Sequence, residues 1–137
     1  MSQENVEVAR GFYEEGGSLA SGRDPLPSLR EFCDPVVEWD FSRREIDGEI
    51  YHGYEGWLRF AEQQRDAWLE FRYEAEEIID AGDSVVVFSH NIGLAKSGIR
   101  LGVRVGQVLT LRDGKIVHYQ YFGEDRAACL EAVGLEE

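Results

Sequence analysis

Cysteine, proline and methionine are scarce, at two, three and one in 137 residues. Cys33 and Cys129 are far apart and form no Cys-x-x-Cys pair. That excludes a disulfide framework and argues against a thiolate metal site. The three histidines, His52, His90 and His118, form no His-Glu-x-x-His motif and no pair at helical spacing, so no metal site is expected. Long apolar runs are missing too. The longest, Val85-Val86-Val87-Phe88, falls far short of the ~20 residues that cross a bilayer. Positive charge is sparse: 14 Lys+Arg stand against 27 Asp+Glu, a formal net charge of −13. Such a chain repels nucleic-acid phosphates and anionic membrane surfaces, so neither is an expected partner. The N-terminal stretch carries Glu4 and Glu7 and has no basic-then-apolar signal pattern, so the expected location is cytoplasmic.

What is present suffices for a core. Hydrophobic residues make up 43% of the chain and aromatics 12%. A single domain over residues 1–137 is expected. Residues 3–16 suit a helix, with Val6, Ala9 and Tyr13 on one stripe and Gly16-Gly17 as its stop. Asp24-Pro25 opens a short second helix, which Asp34-Pro35 ends. Val36 to Phe41 reads as a strand, and residues 55–69 as a third helix carrying Trp57 and Trp68. From Phe71 the period changes to two. Strands are predicted over 71–80, 83–94, 99–112 and 115–122, joined at Ala81-Gly82-Asp83, Lys96-Ser97-Gly98 and Asp113-Gly114. A last short helix starts near Glu124, with Gly134 as its C-cap. The pattern is α+β: a curved antiparallel sheet wrapped round three N-terminal helices, which leaves a conical pocket at the open end.

Strand faces follow from alternation. On the predicted strand 99–112, the odd residues Val103, Val105, Gln107, Leu109 and Leu111 form the buried face. On 84–92 the bulkier set, Val86, Phe88, His90 and Ile92, is assigned to the cavity, and Val85, Val87, Ser89 and Asn91 to the outside. The last strand depends on its turn. A two-residue Asp113-Gly114 loop buries Ile116, His118, Gln120 and Phe122; a three-residue loop buries Val117, Tyr119 and Tyr121, and is preferred.

Four segments resemble a known family: Gln3-Glu-Asn-Val-Glu-Val-Ala-Arg10, Phe32-Cys-Asp-Pro-Val-Val-Glu-Trp-Asp40, Tyr51-His-Gly-Tyr-Glu-Gly56 and Leu109-Thr-Leu-Arg-Asp-Gly-Lys-Ile-Val117. They are similar to the SnoaL-like polyketide cyclases of the nuclear transport factor 2-like superfamily, cousins of ketosteroid isomerase. The resemblance implies that superfamily's cystatin-like α+β barrel. It implies Asp40 at the position of a carboxylate base, and Gln107 where ketosteroid isomerase has a protonated aspartic acid. The family's first-helix tyrosine matches Phe12, with Tyr13 one place along. Phe and Gln at those positions argue against a literal ketosteroid isomerase.

The expected catalytic set is therefore Asp40, His90 and Gln107. A desolvated Asp could take a proton beside a carbonyl, and His90, whose unperturbed pKa is ~6.5, could act as an acid or base. Gln107 or a tyrosine hydroxyl would stabilise the enolate. Tyr13, Trp57, Phe88, Val105, Tyr119 and Tyr121 are the expected ligand contacts. The expected partner is a small apolar metabolite, with no cofactor. Three readings stand: a cofactor-independent isomerase or cyclase, a non-catalytic binding domain, and an interaction module whose cavity is filled by its own side chains. A homodimer is expected through the outer sheet face, on Val85, Val87, Val108, Ile116 and Phe122.

Overall fold

The computed structural model describes residues 2–15, 24–44 and 48–136; the expected helix stop at Gly16-Gly17 lies outside the described residues. The elements in order are α1 (Ser2–Glu15), α2 (Leu26–Phe32), β1 (Cys33–Asp40), β2 (Ile50–His52), α3 (Gly53–Ala67), β3 (Trp68–Ala81), β4 (Ser84–Ala95), β5 (Arg100–Arg112), β6 (Lys115–Gly123) and α4 (Arg126–Glu131). All six strands join one curved, unclosed sheet in the order β2-β1-β6-β5-β4-β3. Neighbours run antiparallel except β1 and β6, which are parallel. The short edge strand β2 was not foreseen. No helix among the described residues is long and apolar enough to cross a membrane.

Local chemistry sets the helix ends. The Asp24 carboxylate accepts from the Leu26 backbone N–H at 3.0 Å, and Pro25 follows where a helix has no use for an N–H. Gly11 lets α1 and α2 touch: a Cβ there would lie 2.6 Å from the Phe32 ring. Asp125 caps α4 by accepting from the Ala128 N–H at 3.0 Å.

The sheet is covered on both sides. Its concave side packs Val6, Ala9, Phe12 and Tyr13 of α1 and Trp57, Phe60 and Ala61 of α3 against Val37, Trp39, Val85, Val87, Leu109 and Tyr119. The convex side carries a smaller core, where Cys129 and Leu130 of α4 pack on Val86, Phe88, Val108 and Phe122. This corrects the assignment of β4. The odd residues Val85 and Val87 face the helices, and the even residues Val86 and Phe88 face outward under α4. The rule that the bulkier face is the inner one fails because α4 makes the outer face a core as well.

The Asp113-Gly114 turn is also corrected. Both residues have positive φ, 53° and 76°, and Arg112 pairs with Lys115. That is a two-residue primed hairpin turn. It sends Ile116 inward opposite Leu111, and a register shift at Val117 then restores Tyr119 and Tyr121 to the inner face. The preferred loop length was wrong, while the tyrosines face inward as expected.

The outer-face set expected to drive a homodimer is dispersed by these assignments. Val85, Val87 and Ile116 lie in the inner core, and Val108 and Phe122 lie under α4.

Candidate functional site

Between α3 and the concave sheet is a cavity of about 310 Å³. Trp57, Phe60 and Gln64 of α3 form one wall, and Trp68, Phe71 and Tyr73 of β3 the next. Tyr119 and Tyr121 of β6, with Phe41, close the opposite side. The lining residues Leu101 and Val103 are 54% and 36% exposed, so the mouth lies beside the start of β5. Packing fixes these walls. Phe41 stacks on Phe60 with ring centroids 4.4 Å apart, and Trp39 lies 4.4 Å from Trp57 behind the wall. Gly93 makes room for the Trp68 indole: a Cβ there would sit 2.6 Å from the ring.

A register shift at Glu76 aims Tyr73. On the turn side of the shift Ile78 pairs with Val87; beyond it Ala75 pairs with Ser89 and Tyr73 with Asn91. The inward parity of β3 therefore changes from even to odd, and Phe71 and Tyr73 reach the cavity.

Polar groups lie at the cavity's inner end. The Tyr13 hydroxyl donates to Gln107 Oε1 at 2.6 Å, the Gln107 amide donates to Ser89 Oγ at 3.1 Å, and Ser89 donates to Asn91 Oδ1 at 2.9 Å. This chain of bonds satisfies a buried glutamine in an apolar row. Tyr13 meets the Tyr73 ring edge-on at 5.2 Å, and its hydroxyl interacts with that of Tyr119. The Tyr73 hydroxyl is buried and finds no hydrogen-bond partner among the described residues. Burial pushes the hydroxyls of Tyr13, Tyr73 and Tyr119 above the usual tyrosine range, and for Tyr13 the neighbouring tyrosines add to it. All three stay protonated near neutral pH, so they are hydrogen-bond donors rather than bases.

The expected site residues fall into two groups. Trp57, Tyr119 and Tyr121 line the cavity, and Tyr13 and Gln107 lie directly beneath it. Asp40, His90, Phe88 and Val105 do not join them. On β1 the inward residues are Val37 and Trp39, so Asp40 projects to the other side, where its carboxylate holds the Ser42 N–H at 2.9 Å and the Ser42 hydroxyl at 2.5 Å. His90 follows the outward parity of β4 and packs against Gly102. Phe88 and Val105 border a separate outer groove, where the Arg126 guanidinium lies 3.9 Å from the Phe88 ring centroid.

Sequence reasoning passed over Tyr73, Asn91 and Arg44, all of which line the cavity. The signal for Asn91 was available. A three-residue Lys96-Ser97-Gly98 connection pairs odd residues of β4 with odd residues of β5, which places Asn91 on the Gln107 face. No alternation rule could find Tyr73, because the shift at Glu76 reverses the parity.

The SnoaL-like domain matches residues 9–119, and the chain belongs to that family. A SnoaL-like polyketide cyclase from Jannaschia sp. CCS1 is 21% identical, with 97% of this chain and 94% of that one covered and a TM-score of 0.74. An NTF2-like protein of unknown function from Burkholderia pseudomallei K96243 is 22% identical over 97% of each chain, with a TM-score of 0.71. TerC, co-crystallised with polyporic acid, is 24% identical, with 95% of this chain and 98% of that one covered and a TM-score of 0.73. Structures with cystatin-like and ketosteroid isomerase-like folds match as well. No curated protein matches the chain.

Proposed function

We propose that the cavity binds a flat, largely apolar small molecule that carries an oxygen acceptor, and that it does so without a carboxylate base. The observation that carries this reading is the Tyr73 hydroxyl, buried against an aromatic wall and lacking a partner among the described residues. An unpaired buried donor is costly, and a ligand carbonyl or enol oxygen would satisfy it. Tyr119 stands beside it with its hydroxyl engaged by Tyr13, and the bond from Tyr13 to Gln107 holds the layer beneath. Eight aromatic side chains line the cavity and favour stacking on a planar ligand. No Asp, Glu or His is among the described lining residues, which favours the binding reading over proton abstraction by Asp40. A structural neighbour, TerC, co-crystallised with polyporic acid, supports the ligand class.

The test uses a matched pair, naphthoquinone and naphthalene, titrated into wild type and Tyr73→Phe by calorimetry. The quinone is expected to bind more tightly than the hydrocarbon in wild type. Tyr73→Phe is expected to weaken the quinone about tenfold, the scale of one lost hydrogen bond to a buried donor, and to leave naphthalene unchanged. Equal binding of the pair in wild type would overturn the reading.

A further inference from the structure

We propose that the cavity selects the anionic form of its ligand, with the acidic group held at the mouth by Arg44. This rests on the reading of the cavity as a binding site. Charge is unevenly placed in this chain, where acids outnumber basic residues 27 to 14. Four exposed arginines are ion-paired: Arg59 with Glu49, Arg72 with Glu74, Arg104 with Glu76, Arg126 with Glu77. Arg44 is different. It is half-buried, lines the cavity and has no ion pair among the described residues. It rests at 5.6 Å from the Phe60 ring centroid, so its guanidinium lies along the aromatic wall. Its charge also reaches the hydroxyl of Tyr121, opposing the upward push of burial there.

The remaining described lining is neutral. Phe41, Phe71 and the two tryptophans exclude water, and the polar side chains are Gln64, Asn91 and the tyrosines. A cation held partly out of water, with no counter-ion among the described residues, is poorly compensated. A carboxylate, phenolate or ionised enol would form charge-assisted hydrogen bonds with it, stronger than those to a neutral oxygen. The cavity then has two polar ends: the neutral Tyr73 donor inside and one cation at the edge. The ligand class that fits both is a planar aromatic acid with a second oxygen acceptor, bound as its anion.

The experiment compares an acid with its own neutral ether. Hydroxynaphthoquinone, ionised near neutral pH, and its methyl ether are titrated by calorimetry into wild type, Arg44→Gln and Arg43→Gln. Arg43 is the charge control: it lies over Phe122 on the outer side, 4.7 Å from the ring centroid, and does not line the cavity. Wild type and Arg43→Gln are expected to prefer the acid by about tenfold or more, and Arg44→Gln to reduce that ratio to about one to two. Equal affinities in wild type, or a preference that survives in Arg44→Gln, would overturn the proposal while leaving the cavity a binding site. If neither probe bound, both readings would fall together.

Discussion

Tyr73 couples stability and binding in opposite directions. Its hydroxyl is buried without a partner among the described residues, so the folded state bears the cost of removing it from water. Tyr73→Phe keeps the ring that packs on Tyr13 and deletes that cost. The variant is expected to be as stable as wild type or more stable, by up to about 1 kcal/mol, in urea unfolding, although it loses ligand affinity. A clear destabilisation would mean that the hydroxyl is already satisfied, for example by an ordered water. The residues beside it show how far a site can be read from a chain. Gln107 was legible because an amide in a Val-Leu row must find a partner. Tyr119 and Tyr121 were legible as inward aromatics. Asp40 and His90 misled because strand position alone does not say which way a side chain points: one residue along, Trp39 is the inward group on β1. Arg44 leaves no signature, since an arginine in a polar stretch looks solvated until the fold places it at a cavity rim.

Among elements, the long helices and strands were legible because each keeps one period and is bounded by Gly, Pro or Asp. Helix α3 and strands β3 to β6 fall within a few residues of their expected limits. Pairings between distant segments were not legible. The parallel contact of β1 with β6 joins residues about 80 positions apart, such as Trp39 and Tyr119, and no local pattern encodes it. Register shifts at Glu76 and Val117 were hidden too, because an extra residue in a strand looks like any other. Helix α4 has a larger structural role than its six residues suggest, since it covers the convex core. A helix this short has little intrinsic stability and depends on its cap and its packing. Asp125→Ala removes the acceptor for the Ala128 N–H and is expected to cost about 1 kcal/mol in urea unfolding. An unchanged midpoint would show that packing of Cys129 and Leu130 alone holds the helix.

At the scale of the whole molecule, buried weak acids govern the response to alkali. Cys129 has an ordinary thiol value of 9.0 and is pushed up to about 11 by burial, with Arg126 pulling the other way. Burial raises the Cys33 thiol further, and the Tyr13, Tyr73 and Tyr119 hydroxyls rise from an ordinary 10.0. A raised value in the folded state means that the folded chain keeps its proton while the unfolded chain releases it. The unfolded state therefore binds fewer protons in that window, and stability falls as pH rises. Below the unfolded values both states are protonated, and these groups leave stability unchanged. The fall is expected to begin above about pH 9 with the thiols and to steepen past about pH 10 with the tyrosines. Growing negative charge on a chain already at −13 adds self-repulsion in the same direction. Salt separates the two causes, because it screens surface repulsion and leaves proton release from buried groups in place. Urea midpoints followed from about pH 7 to pH 11 at low and high salt, together with tyrosinate absorbance, are the measurement. Absorbance should appear with unfolding rather than before it, and the decline should persist in high salt. Tyrosinate formed in the folded protein near pH 10 would contradict the burial that makes Tyr13, Tyr73 and Tyr119 neutral donors.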